Sequence, residues 1–140
     1  MKRLLILTAV IEASAGLALL IAPSETVELL FGSTLAATMS ADLVRLVGPA
    51  LLTLGLANWI ASRHAQSPSA LGVVAGMTLY NIGVAILLGA AGVWHRPAGV
   101  LLWPAVGLHL AMTVWCIWSV LTQGRWKIGS ENRAEKGAHL

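Results

Sequence analysis

The chain has 140 residues, of which 57% are hydrophobic and only 11% are charged, whereas about a quarter are charged in ordinary soluble proteins. Its mean hydropathy of +0.79 excludes a disordered chain and a typical soluble domain. The net charge of +3 is too small and too dispersed for the basic face of a nucleic-acid-binding protein. A single cysteine, Cys116, excludes a disulfide framework and a cysteine zinc site within the chain. The composition therefore indicates a membrane protein.

Four apolar stretches are each close to the roughly 20 residues that a helix needs to cross a bilayer. They are residues 4–22, 41–61, 70–92 and 98–121. A lone segment in lipid satisfies its backbone hydrogen bonds only as a helix, and short connections join antiparallel neighbours. We therefore predict an all-α membrane protein, an up-down-up-down bundle of four transmembrane helices that forms one domain over residues 1–128.

The long first connection carries the pattern of a short helix. Ser24 is a candidate N-cap, Glu25 lies in the first turn, and Gly32 is a candidate stop. We predict a short interfacial helix between the first two spans, and we expect Ser40 to cap the second span.

The first span also resembles a signal peptide, because Lys2 and Arg3 precede an apolar run and Ala13-Ser14-Ala15 forms an A-x-A site. The apolar run resumes at Gly16 and becomes long enough to span a membrane, so we expect a retained helix. An intact mass beginning at Gly16 would contradict this expectation.

Basic residues predict the orientation, because Lys and Arg are enriched in cytoplasmic loops. Seven of them lie at the chain ends and in the second connection, against Arg96 alone in the opposite connections. We predict a multi-pass protein of the cell (inner) membrane with cytoplasmic N- and C-termini. Residues 129–140 are rich in charge, Gly and Ala, and we expect a flexible cytoplasmic tail there.

A weak internal repeat relates the two halves of the chain. Residues 16–22 resemble residues 83–89, and Pro49-Ala50 corresponds to Pro104-Ala105. A duplicated hairpin explains this similarity. Chance resemblance among helices rich in Leu, Ala and Gly also explains it.

Polar residues inside the spans are the candidate functional residues, because ionisable groups in lipid are costly and face the bundle interior. Glu12 lies mid-span in the first helix, Tyr80 and Asn81 in the third, and His109 in the fourth. A carboxyl group at this depth must be paired, hydrated or protonated. Each group is either a packing contact between helices or a participant in proton or ligand chemistry.

Side-chain direction predicts which of these groups meet, because helical side chains lean toward their own N-terminus. Glu12 and Tyr80 lean toward the cytoplasm, whereas Asn58 leans outward and converges with them. His109 and Asn81 lie nearer the midplane. We predict one polar intramembrane pocket lined by all five residues.

Arg45 lies about one turn inside the outer end of the second span. Asp42 is three residues earlier on the same helix face, so we expect a charge pair at the outer interface with Arg45 snorkelling to the headgroups. The alternative is a contact between Arg45 and an anion or a quinone carbonyl.

The histidines and acids predict neither a metal nor a cofactor. One intramembrane histidine, His109, cannot form a bis-His haem site, and the Glu plus Glu-x-x-His pattern of di-iron bundles is missing. His64, His95 and His139 fall in connections or the tail. We therefore expect no cofactor, no metal and no catalytic residue.

Small residues predict close helix approach on two spans. Gly48 and Gly55 share one stripe of the second span. Gly72 and Gly76 form a small-xxx-small pair in the third span, where Gly83 follows.

Together, Glu12, the Arg-Leu-Val-Gly of residues 45–48, Tyr80-Asn81 and the Trp-Pro-Ala-Val-Gly-Leu-His of residues 103–109 resemble small bacterial four-helix membrane proteins. The nearest are the DoxX-like and related uncharacterised families. The resemblance covers nearly all of the membrane part. DoxX is associated with quinol oxidation in terminal oxidases, so the resemblance implies a link to respiratory or redox membranes and assigns no catalytic residue.

Three functions are compatible with these patterns. The first, which we favour, is a non-catalytic subunit or accessory factor whose partners are the lipid bilayer and a membrane protein or a second copy. The second is a binder or carrier of a small lipophilic molecule, quinone- or terpenoid-like, held by Glu12, Tyr80 and His109. The third is an enzyme acting on such a molecule by acid–base chemistry.

Overall fold

The computed structural model describes residues 1–33, 41–94 and 98–138, with side chains as far as Thr122. Its helices, in chain order, are α1 (Lys2–Ile21), α2 (Pro23–Phe31), α3 (Ala41–Arg63), α4 (Pro68–Trp94) and α5 (Leu102–Ala138). The helices α1, α3 and α4 and the first part of α5, Leu102–Thr122, are each long and apolar enough to cross a membrane. The prediction of an all-α fold with four membrane-spanning helices and a short helix between the first two is confirmed.

The four long helices pack as two hairpins, α1 with α3 and α4 with α5. The hairpins meet around a core cluster at the end of the bundle opposite α2. Buried side chains from α1, α4 and α5 form this core cluster: Leu4, Leu5, Ala70, Val74, Met77, Met112 and Cys116. The helices α4 and α5 are consecutive in the chain, as antiparallel neighbours in a bundle commonly are. The helices α1 and α3 instead pack across the long connection that contains α2, along a seam of small residues.

Glycines allow α1 and α3 to approach closely. A Cβ atom added at Gly16 would lie 2.7 Å from the Gly48 carbonyl oxygen, and one at Gly55 would lie 3.0 Å from the Ala9 carbonyl oxygen. Small residues at such a seam let helix backbones come together in a membrane. The close approach predicted at Gly48 and Gly55 is therefore present.

The glycines of α4 behave differently. In the described part of the chain, nothing lies within 4 Å of where a Cβ atom would stand at Gly72, Gly76 or Gly83. The tight packing predicted from these residues is absent there, because no helix in the described ranges covers this face of α4.

The start of α2 differs from the prediction. Ala22, not Ser24, occupies the N-cap position, and Pro23 is the first helical residue. Proline suits this position because its fixed φ is helical and it has no N–H to satisfy, so the helix begins earlier than Ser24 indicates. Gly32, with φ 69°, ends α2 in the left-handed conformation as predicted. The predicted cap Ser40 lies outside the described residues.

The end of α2 is tied to the other hairpin. The Leu29 and Leu30 carbonyls accept hydrogen bonds from the Leu101 and Gly99 amides, at 2.9 and 3.2 Å. Carbonyls in the last turn of a helix have no partner within the helix, so the connection before α5 supplies one. A Cβ atom at Gly99 would collide with the Leu29 backbone. The hairpins are therefore joined at this end as well as through the core cluster.

Two boundaries of the last helix also differ from the sequence prediction. The helix begins at Leu102 rather than at residue 98, and it continues through residues 129–138, where the sequence predicts a flexible tail. Ala, Glu, Lys and Arg in that segment have favourable helix propensities, which explains the continuation. The location of this segment in the cytoplasm stays a prediction.

Candidate functional site

A layer of polar side chains crosses the interior beside the core cluster, on the side toward α2. We call Glu12, Tyr80, Asn81 and His109 the polar layer. Asn81 lies one turn after Met77 of the core cluster, and His109 lies on α5 three residues before Met112, so the layer and the cluster share helix faces.

Glu12 is buried, with only 3% of its surface exposed. Its Oε2 accepts a hydrogen bond from the Tyr80 hydroxyl at 3.4 Å. That distance is at the long end for an O–H···O bond. The contact joins α1 to α4, and thus one hairpin to the other. The carboxyl group faces the interior of the bundle, and the structure brings it to Tyr80 as side-chain direction predicts.

Asn81 and His109 form the second bond of the layer. His109 Nδ1 lies 2.8 Å from Asn81 Oδ1. The Asn81 amide nitrogen donates to the Met77 carbonyl at 2.7 Å, so Oδ1 faces the imidazole and accepts. Nδ1 therefore carries a hydrogen, and in a neutral ring Nε2 is left as an acceptor. This tautomer is inferred from the hydrogen-bond network.

Tyr80 links the two bonds into one arrangement. Its ring meets the His109 ring edge to face, with centroids 6.0 Å apart and planes at 76°, which is a favourable aromatic geometry. Consecutive residues on a helix point in different directions, so Tyr80 reaches Glu12 while Asn81 reaches His109. The polar layer is thus continuous from α1 through α4 to α5.

Asn58 of α3 is buried, with 1% of its surface exposed. Its amide nitrogen donates to the Leu54 carbonyl at 2.8 Å, but its Oδ1 is buried without a hydrogen bond. An unsatisfied buried acceptor costs about 1–3 kcal/mol. Among the described side chains no hydrogen bond joins Asn58 to Glu12 or Tyr80, so the predicted convergence is not completed by a bond.

An open strip runs along α4 on both sides of Tyr80. Gly76 lies one turn before Tyr80 and Gly83 lies three residues after it, and both face empty space in the described part of the chain. We call Gly76, Tyr80 and Gly83 the open strip. Sequence reasoning missed this opening, although a Gly-x-x-x-Tyr-x-x-Gly pattern that places one large residue between two gaps could have indicated it.

The outer charge pair is present. Arg45 contacts Asp42 at 3.4 Å, and both side chains are exposed. A pair of this kind contributes about 0–1 kcal/mol in water. It is the single ion pair within the described ranges, so Glu12 has no cationic partner there.

A shallow depression of about 580 Å³ lies where α2 meets the connection before α5. Sequence reasoning did not identify it. Two carboxylates stand among its lining residues, which are Glu25, Glu28, Leu29, Gly32, Ala98, Gly99 and Val100.

The described residues contain no group of three or more His, Cys, Asp or Glu side chains that could hold a metal ion. His64 lies in the connection after α3, far along the chain from the polar layer, and His95 and His139 lie outside the described residues. The polar layer itself supplies hydrogen-bonding and ionisable groups.

No protein-family model, curated protein or solved structure matches this chain. The DoxX-like resemblance stays a prediction, and the function has to be argued from the polar layer and the open strip.

Proposed function

We propose that this multi-pass membrane protein binds a small amphiphilic molecule along the uncovered face of α4, where Tyr80 reaches the other hairpin. The polar head of the ligand lies against the polar layer, and its apolar part lies along the open strip. The observation that carries the proposal is the position of the Glu12–Tyr80 hydrogen bond, which bridges the hairpins where glycines on either side leave room.

A purely structural contact would be expected to sit in a closed interface. At the α1–α3 seam, glycines are filled by backbone and side-chain atoms of the opposite helix. Beside Tyr80, by contrast, no atom of the described residues lies within 4 Å of where a Cβ atom would stand at Gly76 or Gly83, and the Tyr80 hydroxyl reaches the buried carboxyl of Glu12 from this strip. A mostly apolar surface with a small number of placed polar groups is typical of small-molecule binding.

The charge distribution supports a cell-membrane location with both chain ends in the cytoplasm. The DoxX-like resemblance supports a lipophilic ligand of a respiratory membrane, quinone- or terpenoid-like in its apolar part. Both are parts of the proposal.

The proposal is tested by extracting the purified, detergent-washed protein and analysing the extract by mass spectrometry. We expect a lipid-like species near one per chain. Gly83→Leu fills the open strip and removes the species, whereas Gly107→Leu, at an equally open position on α5, leaves it in place. The absence of any stoichiometric species, or its retention in Gly83→Leu, contradicts the proposal.

A second candidate function is a non-catalytic accessory subunit, which the sequence favours. The small-xxx-small pair Gly72 and Gly76 has no helix of this chain against it in the described residues, and such pairs favour close packing of another transmembrane helix. Gly72→Leu then reduces recovery of a complex after mild solubilisation and leaves the bound species unchanged. Unchanged complex recovery contradicts this function.

A further inference from the structure

We infer that the ligand's head group is a hydrogen-bond donor, specifically an alkylammonium group, and not a carbonyl acceptor such as that of a quinone. The inference rests on the proposed function, because it names the chemical class of the molecule bound at the same site. It follows from which donors and acceptors around the polar layer already have partners.

Each donor atom already has one acceptor. The Tyr80 hydroxyl donates to Glu12, and the amide nitrogens of Asn58 and Asn81 each donate to the carbonyl four residues earlier in their own helix. His109 Nδ1 donates to Asn81 Oδ1. The two amide nitrogens each keep a second hydrogen, so a ligand that brings only carbonyl oxygens can bond to these two N–H groups alone and leaves the unpaired acceptors without a partner.

The acceptors are not all engaged. Asn58 Oδ1 is buried without a hydrogen bond. His109 Nε2 has no hydrogen bond to the described residues, and the Glu12 carboxyl group receives one long bond. Buried polar groups are costly until they are paired. The unpaired groups around the layer therefore favour a ligand that supplies hydrogen atoms.

The charge of Glu12 further restricts the chemical class of the ligand's head group. Glu12 has no cationic partner in the part of the chain that the structure describes, and a carboxylate within a bilayer needs a positive partner, water or a proton. An ammonium group supplies three N–H donors and one positive charge. The half-buried Tyr80 ring beside Glu12 also attracts a cation to its face. One head group thus supplies what the Glu12 carboxylate and the Tyr80 ring attract, and its further N–H groups suit an unpaired acceptor such as Asn58 Oδ1.

The experiment compares four head groups on one dodecyl chain. Dodecylammonium has donors and a charge, dodecyltrimethylammonium has a charge without donors, dodecanol has a neutral donor, and 2-dodecanone has an acceptor alone. Each is radiolabelled and dialysed against the protein in nanodiscs of phosphatidylcholine, with empty nanodiscs subtracted. We expect dodecylammonium to bind at least about tenfold more tightly than each of the others, in keeping with the strength of charged hydrogen bonds.

Substitutions at Glu12 and Asn58 test whether dodecylammonium binds at the polar site. Glu12→Gln and Asn58→Leu each weaken dodecylammonium binding at least about tenfold. Glu28→Gln, which alters an exposed carboxylate of α2, leaves it unchanged. Asn58→Leu removes an acceptor that has no partner, so the protein keeps its melting temperature, and loss of binding is separated from loss of folding.

The outcomes distinguish the inference from the proposed function. Binding of 2-dodecanone, dodecanol or dodecyltrimethylammonium as tightly as dodecylammonium overturns the inference, while a bound amphiphile lost in Gly83→Leu still supports the proposed function. Unchanged binding in both Glu12→Gln and Asn58→Leu also overturns the inference. If no probe binds above the empty nanodiscs and no species co-purifies, the proposed function fails.

Discussion

The hydroxyl of Tyr80 joins two hairpins through one hydrogen bond to Glu12. Polar contacts between helices in a membrane contribute about 0.6 kcal/mol on average and up to about 1.7 kcal/mol. We predict that Tyr80→Phe lowers the free energy of unfolding by an amount in this range, measured by denaturant titration in mixed micelles. In the Glu12→Leu background the same change has a smaller effect, because the acceptor is absent. Strict additivity would mean that the bond contributes nothing.

The two buried asparagines predict opposite outcomes for the same substitution. Asn58→Leu removes an acceptor that has no partner and is neutral or stabilising in ligand-free protein. Asn81→Leu leaves the His109 Nδ1 hydrogen without its acceptor and costs about 1–3 kcal/mol. Thermal unfolding monitored by circular dichroism compares the two. Equal destabilisation by both substitutions refutes the assignment of Asn58 Oδ1 as unpaired.

At this scale, sequence reasoning predicted which polar residues lie inside the bundle and that Glu12 meets Tyr80, but not which atoms of the two asparagines are bonded. Glu12 and His109 are easy to identify from the sequence, because charged and polar groups inside a membrane span are energetically costly and therefore rare. The bonds of Asn58 and Asn81 to their own helices depend on side-chain rotamers, which spacing along the chain does not specify.

Between helices, two glycines of similar sequence context differ in what surrounds them. A Cβ atom at Gly48 would lie 2.5 Å from Leu20 Cγ and 2.9 Å from the Gly16 carbonyl oxygen, so we predict that Gly48→Ala costs about 1–3 kcal/mol through overpacking. Gly83→Ala meets no atom within 4 Å and is neutral or stabilising by up to about 1 kcal/mol. Melting temperatures in detergent check both, and a larger loss in Gly83→Ala contradicts the prediction.

The tie between α2 and the connection before α5 also predicts a measurable effect. Gly99→Val introduces a side chain against the Leu29 backbone and separates the two segments. We expect faster hydrogen exchange at the backbone amides of residue 99 and Leu101, which donate hydrogen bonds to α2 in the unsubstituted protein. Gly107→Val, at an open position, is the control and leaves this exchange unchanged. Slow exchange in Gly99→Val contradicts the tie.

The four membrane-spanning helices were largely predictable from the sequence, because length and hydropathy identify them independently of how they pack. Their contacts were not. Gly48 and Gly76 both belong to small-residue patterns, yet one faces a helix and the other faces open space. Which helix lies opposite a given glycine depends on the packing of the whole bundle. At α2, the preference of Pro23 for the first helical position sets the start of the helix and outweighs the capping preference of Ser24.

For the molecule as a whole, four spans put both chain ends on one side of the membrane, and the basic residues predict that this side is the cytoplasm. In a Cys116→Ala background, we expect Ser33→Cys to react with an impermeant maleimide in intact cells. Gln66→Cys, in the connection on the other side, reacts only after permeabilisation. The reverse pattern would invert the topology, and labelling of both in intact cells would refute four spans.

Glu12 and Tyr80 are 68 residues apart along the chain, and this separation has a consequence for biosynthesis. At about 5–20 residues per second, a ribosome takes about 3–14 s to reach the tyrosine after it has made the acid. Throughout that interval the Glu12 carboxyl group has no tyrosine hydroxyl to bond, so the insertion machinery or water has to solvate it. Nascent chains that stop before α4 is complete should therefore be degraded faster than chains that stop just after it.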